Sequence, residues 1–105
     1  MDVRFRTRKL EKCFRENREA ARKWGVVCGR LYVRRINEIQ AAPTMADLFR
    51  IPGARCHPLK GPEQGRFAVD LEQPYRLIFE PSSSSGEDPG KVTEILIIDV
   101  VDYHG

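Results

Sequence analysis

Thr93-Glu94-Ile95-Leu96-Ile97-Ile98-Asp99-Val100-Val101-Asp102-Tyr103 reads as one long strand that runs on into His104 and Gly105. The run is dense in β-branched residues, which suit a pleated, half-buried surface. Strict alternation puts Leu96, Ile98, Val100, Asp102 and His104 on one face and Tyr103 on the other. That face is apolar for most of its length and polar only at its end, as expected of a buried strand emerging at the mouth of a cleft. A histidine there, two residues after a carboxylate, can titrate near neutral pH.

Three more strands are predicted upstream, at Ala54 to Leu59, Arg66 to Leu71 and Tyr75 to Phe79. Gly61-Pro62-Glu63-Gln64-Gly65 and Glu72-Gln73-Pro74 separate them as turns. Pro81 to Gly90 is a serine-rich hairpin tip with no evident chemistry, and closing a loop of that length costs little. The N-terminal half reads differently. Val3 to Arg6 alternates like a short strand, and Thr7 is then a plausible N-cap. Leu10, Cys13, Phe14, Ala20 or Ala21, and Trp24 recur at helical spacing as far as Gly25, a suitable C-terminal cap.

A second helix is expected from Val26 to Gln40, with Tyr32, Val33, Ile36 and Ile39 inward; Ala41-Ala42-Pro43 ends it. Thr44 and Asp47 can cap a short helical turn that carries Leu48 and Phe49 inward. The order is strand, helix, helix, four strands. The predicted class is α+β, with two N-terminal helices packed on one face of a small antiparallel sheet.

Composition excludes several functions. A chain of 105 residues is expected to form a single domain, residues 1–105, with room for one sheet and no deep cofactor cavity. No run approaches the roughly 20 apolar residues that span a bilayer, and Met1-Asp2-Val3-Arg4-Phe5-Arg6 lacks a signal-peptide core, so a cytoplasmic location is expected. Cys13, Cys28 and Cys56 are an odd count without CxxC spacing, which reads as three small hydrophobes and no metal site. Charge is lopsided: residues 1–60 hold 15 of the 18 Lys and Arg but six of the 15 Asp and Glu. A basic half of this kind suits a polyanion.

The candidate chemistry follows from a few side chains. His57 and His104 are the two histidines, and His57-Pro58-Leu59-Lys60-Gly61 adds a lysine beside the first. Arg76 sits inside the apolar run Tyr75-Arg76-Leu77-Ile78-Phe79, where an arginine either faces solvent or pairs with an acid or a substrate. Asp102 can orient His104 or pair with Arg76, and the Tyr103 hydroxyl can reach a phosphate or its ring can stack on a base. Two acid/base groups and two cations suit the cleavage of an RNA phosphodiester. A positioned acid or base contributes about 10² to 10⁴ in rate, and cations aimed at the developing charge add further stabilisation.

The segments His57-Pro58-Leu59-Lys60-Gly61, Tyr75-Arg76-Leu77-Ile78-Phe79 and Val101-Asp102-Tyr103-His104 resemble, in order and spacing, the RelE/ParE superfamily of bacterial toxins, in particular its HigB-like killer branch. The resemblance implies a RelE-like fold and the toxin of a type II toxin–antitoxin pair, acting as a ribosome-dependent mRNA endonuclease (an mRNA interferase) without metal or other cofactor. It implies His57, Lys60, Arg76, Asp102, Tyr103 and His104 as site residues, with Lys60 and Arg76 on the scissile phosphate and His104 as base tuned by Asp102. The implied partners are a HigA-like helix-turn-helix antitoxin, the ribosome and its mRNA, and operator DNA through the antitoxin alone. The alternatives are a ParE-like toxin acting on gyrase and a non-enzymatic subunit that helps an antitoxin bind DNA. Two features depart from the branch: the long serine-rich tip and the arginine-rich N-terminus.

Overall fold

The computed structural model describes residues 1–82 and 88–102. The middle of the serine-rich tip and two predicted site residues, Tyr103 and His104, lie outside the described residues.

The chain enters through strand β1 (Asp2–Phe5), and Thr7 then caps helix α1 (Arg8–Arg15), its hydroxyl accepting from the Leu10 amide at 3.2 Å. The sequence predicted one helix from Thr7 to Trp24; instead Glu16 is extended and divides α1 from α2 (Asn17–Trp24). Arg15, Glu16, Asn17 and Arg18 are all exposed, so no buried side chain holds the helix continuous across the break. Leu10 and Cys13 of α1 and Ala20 and Trp24 of α2 still reach the same core. Gly25, at φ +89°, then reverses the chain directly into α3 (Val26–Ala41), a conformation an L-residue rarely adopts.

Helix α3 buries Cys28, Gly29, Tyr32, Ile36 and Ile39 as its stripe, and Val33 is half-buried at the edge. Tyr32 lies against Trp24, ring centres 4.7 Å apart, and its hydroxyl donates to the Leu10 carbonyl at 2.7 Å. A capping box of Thr44 and Asp47 opens a 3₁₀ turn, Met45–Arg50, that buries Met45 and Leu48. Phe49, expected inward, is 41% exposed and meets Phe67 edge-on at 6.0 Å. A 3₁₀ turn has three residues per turn, so neighbouring side chains cannot both face the core.

Four further strands follow: β2 (His57–Pro58), β3 (Phe67–Asp70), β4 (Tyr75–Pro81) and β5 (Glu94–Asp102). The strand expected from Ala54 to Leu59 shrinks to two residues, because the preceding chain turns back: the Ala54 carbonyl accepts from the Asp70 amide and Arg55 has φ +49°. The sheet order is β1-β5-β4-β3-β2. It is not wholly antiparallel as predicted: β1 pairs with β5 in parallel, from Asp2 opposite Glu94 to Phe5 opposite Ile97. Parallel neighbours need a long crossover, and here the helices, the 3₁₀ turn and the other three strands all intervene.

Strand β5 carries a bulge. Asp99 lies opposite Ile78 and Ile97 opposite Phe79, leaving Ile98 as the extra residue. The bulge reverses the alternation. Ile95, Ile97 and Val100 pack on the helical core, whereas Leu96, Ile98 and Val101 join Ala68, Ile78 and Leu59 on the other face. Val100 therefore does not share a face with Leu96 and Ile98, as the sequence suggested.

The two faces differ in cover. Tyr32, Ile36, Ile39, Met45 and Leu48 close one against Leu77, Phe79, Ile95 and Ile97. Among the described residues, no helix contributes a buried residue to the smaller cluster on the other face. No helix of the described residues is long and apolar enough to cross a membrane.

Candidate active site

The uncovered sheet face holds the candidate site. Ile78, Ile98 and Val101 line a cleft of about 370 Å³. Arg6 at the end of β1, Arg66 before β3, and Glu63, Asp99 and Asp102 form its charged lining. Arg66 is braced by two carboxylates, Glu63 at 3.2 Å and Glu80 at 3.4 Å. Asp99 is exposed, and one of its oxygens accepts from the Val100 amide at 2.8 Å, which orients it beside the bulge.

Arg76 lies one strand from Asp102, since β4 pairs Tyr75 with Asp102 and Arg76 with Val101. On its other side Arg76 faces Asp70 of β3, with Nε 3.7 Å from Oδ1. Asp70 is a buried carboxylate, 8% exposed, and its Oδ1 makes no hydrogen bond. Its Oδ2 pairs with Arg55 Nε at 3.3 Å. One buried anion thus holds two arginines. Such a group normally costs stability unless it is paired.

The buried Arg35 of α3 secures this corner from below. Its Nε donates to the Asp70 carbonyl at 2.8 Å, a second nitrogen to the Gly53 carbonyl at 3.1 Å, and a third to Glu38 at 2.9 Å. The fork of the guanidinium satisfies carbonyls from two segments at once. The turn it supports places the Arg55 carbonyl 2.8 Å from His57 Nδ1. A carbonyl only accepts, so Nδ1 is the donor in this contact.

The predicted residues are only partly gathered. Arg76 and Asp102 lie on neighbouring strands one register position apart, Arg76 opposite Val101 and Asp102 opposite Tyr75, so the bulge moves Asp102 off the face of Leu96 and Ile98 on which the sequence placed it. His57, opposite Ala68, shares the open face but is separated from β5 by β3 and β4, about 14 Å at the usual strand spacing. Lys60 is exposed and follows Leu59, whose amide bonds the Arg66 carbonyl. It therefore lies at the end of β3 away from Asp70 and Arg76, and the Arg66-to-Asp70 span alone is about 13 Å. Tyr103 and His104 continue from Asp102, outside the described residues.

Sequence reasoning missed Arg66, Asp70 and Arg55 as site residues. A signal for Asp70 was present: folding the chain back at the Glu72-Gln73-Pro74 turn sets Asp70 opposite Arg76. Arg55 and Arg66 had none, because their partners are fixed by tertiary structure.

The three cysteines are as the sequence suggested, Cys13 and Cys28 buried and Cys56 half-buried. Burial pushes the Cys56 thiol up from an ordinary 9.0 to about 12 and raises Cys13 and Cys28 as well. None is an activated nucleophile at neutral pH. Among the described residues no three His, Cys, Asp or Glu side chains converge as a metal-binding group.

Fold and cleft together define a small α+β protein whose mixed sheet presents one bare, charged face. No protein-family model and no curated protein matches this chain. Among solved structures it is similar to a YoeB/ParE toxin from Agrobacterium tumefaciens, with a TM-score of 0.55 and 15% identity over 99% of this chain and 100% of that one. At that identity the likeness is one of fold.

Proposed function

We propose that this chain is a single-domain toxin of a toxin–antitoxin pair, and that it cleaves mRNA on the ribosome as a metal-independent endoribonuclease. The observation that carries the reading is the open-face cleft, with Arg66 and Asp102 in its lining and Arg76 held against a buried carboxylate beside it. The fold shared with a toxin supports it.

In this reading Arg76 and Arg66 stabilise charge on the phosphorane. His104, tuned by Asp102, takes the 2′-hydroxyl proton, the 2′-oxygen attacks phosphorus, and the P–O5′ bond breaks as the 5′-oxygen is protonated by solvent. Tyr103 contacts the phosphate or an adjacent base. In this reading His57 and Lys60 contact the RNA strand away from the scissile bond, in keeping with their distance from β5. The natural inhibitor is a HigA-like antitoxin, and operator DNA is reached through it.

A reconstituted translation reaction, with mRNA ends mapped by primer extension, tests this. Cuts inside codons should require ribosomes, and Arg76→Ala and His104→Ala should each lower the rate by about 10² or more. Intact mRNA with folded wild-type protein would overturn the nuclease. The competing reading is ParE-like action on gyrase, and ParE is part of the similar toxin's name. A DNA supercoiling assay decides it.

A further inference from the structure

The cleft does not end at Arg6. A second one, of about 350 Å³, opens beside it and shares Arg6, Ile98 and Asp99 with the first. Its other walls are Thr7, Lys9 and Leu10 at the start of α1 and Lys23 at the end of α2. Three cations therefore converge on a groove that holds a single carboxylate.

What sets these three apart is that they share one groove; Arg8, Lys12, Arg18, Arg30, Arg50, Lys60 and Lys91 also form no ion pair among the described residues, but none of them lines it. Arg4 is paired with Glu94, Arg15 with Glu11, Arg22 with Glu19, Arg34 and Arg35 with Glu38, and Arg66 with Glu63 and Glu80. Among the described residues, no carboxylate forms an ion pair with Arg6, Lys9 or Lys23, and all three are exposed. Lys23 is also steered, its Nζ 5.6 Å from the centre of the Trp24 ring. Convergent like charges repel until an anion separates them, and each cation that meets a phosphate releases condensed counterions.

We propose that this groove is a second RNA subsite, in which Arg6, Lys9 and Lys23 bind the phosphodiester backbone of the substrate strand where it leaves the cleavage cleft. The inference rests on the nuclease reading for the identity of that strand. Continuity argues for RNA over an acidic protein segment, because a strand threaded through the first cleft runs on into the second past Arg6 and Asp99. The groove's apolar residues argue the same way. Leu10 and Ile98 are each only 4% exposed, so a peptide finds no pocket for a hydrophobic anchor.

The test is binding of a fluorescent single-stranded oligoribonucleotide carrying 2′-O-methyl groups, so that cleavage cannot occur, across a range of salt concentrations. Lys9→Gln with Lys23→Gln should reduce the slope of log affinity against log salt by about 1.4, which is roughly 0.7 for each lost cation on a single strand. Lys9→Arg with Lys23→Arg should restore it. Lys12→Gln with Lys91→Gln, exposed lysines outside both clefts, should leave the slope at the wild-type value.

A double glutamine variant that binds RNA like wild type, while ribosome-dependent cleavage persists, would overturn the groove and spare the nuclease. Groove-dependent binding without any cleavage by wild type would overturn the nuclease and leave an RNA-binding groove. Loss of binding to a poly-glutamate peptide with unchanged RNA binding would also overturn the proposal and make the groove a protein contact.

Discussion

Asp70 shows how one buried side chain organises several exposed ones. Its carboxylate faces Arg76 on one oxygen and Arg55 on the other, and its own carbonyl is bonded to Arg35. Replacing it with Asn keeps the shape and removes the charge. Arg55 is 67% exposed in its side chain, so that pair contributes little after solvent screening, and Arg76 dominates. Asp70→Asn should cost about 1 kcal/mol, a fall of roughly 4–8 °C in a thermal melt at this size. If Arg76 acts on the phosphate, kcat for cleavage should drop tenfold or more with little change in KM. An unchanged kcat per folded molecule, measured well below the melting temperature, would mean that Asp70 serves folding alone. Cys56 gives a pH prediction. Its thiol is raised on folding, so its contribution to stability is complete below the unfolded value of 9.0 and declines as pH rises towards about 12. Denaturant unfolding at pH 7, 9 and 10.5 should show stability falling over the last interval, and Cys56→Ala should lessen that fall, with the raised Cys13 and Cys28 thiols contributing to what remains.

Among the elements, the contact between α2 and α3 is the most sharply constrained. A Cβ at Gly29 would lie 3.0 Å from the backbone of Ala20 and Ala21. Alanine is the better helix former by about 1 kcal/mol. Overpacking against backbone costs about 1–3 kcal/mol, because neither helix can yield without parting from the core. The clash should win. Gly29→Ala should lower the melting temperature, and a rise would mean that the two helices slide apart freely. Helix ends were legible in the sequence because they are local: Thr7, Gly25 and Thr44 each act on backbone groups within four residues. The break at Glu16 was not, since the apolar stripe continues across it. Nor was the short β2, whose extent depends on Ala54 turning back to meet Asp70.

For the whole molecule, the charge split gains meaning once the sheet is assembled. The arginine-rich N-terminus runs along the edge strand β1 and delivers Arg6 to the cleft built by β5, nearly the full length of the chain away. Sequence alone determined the α+β class, a strand followed by helices and then four strands, the helix caps, the inward stripe of α3 and the place of Arg76 inside an apolar strand. These rest on periodicity and on contacts between near neighbours, which a linear reading sees. Tertiary structure alone decided the parallel pairing of β1 with β5, the bulge that turns Val100 to the other face, and the burial of Arg35, whose carbonyl partners lie 18 and 35 residues away. It also decided which cations meet carboxylates and which converge on a groove. Such pairings follow from the closing of long loops, and residue spacing along the chain carries no record of them.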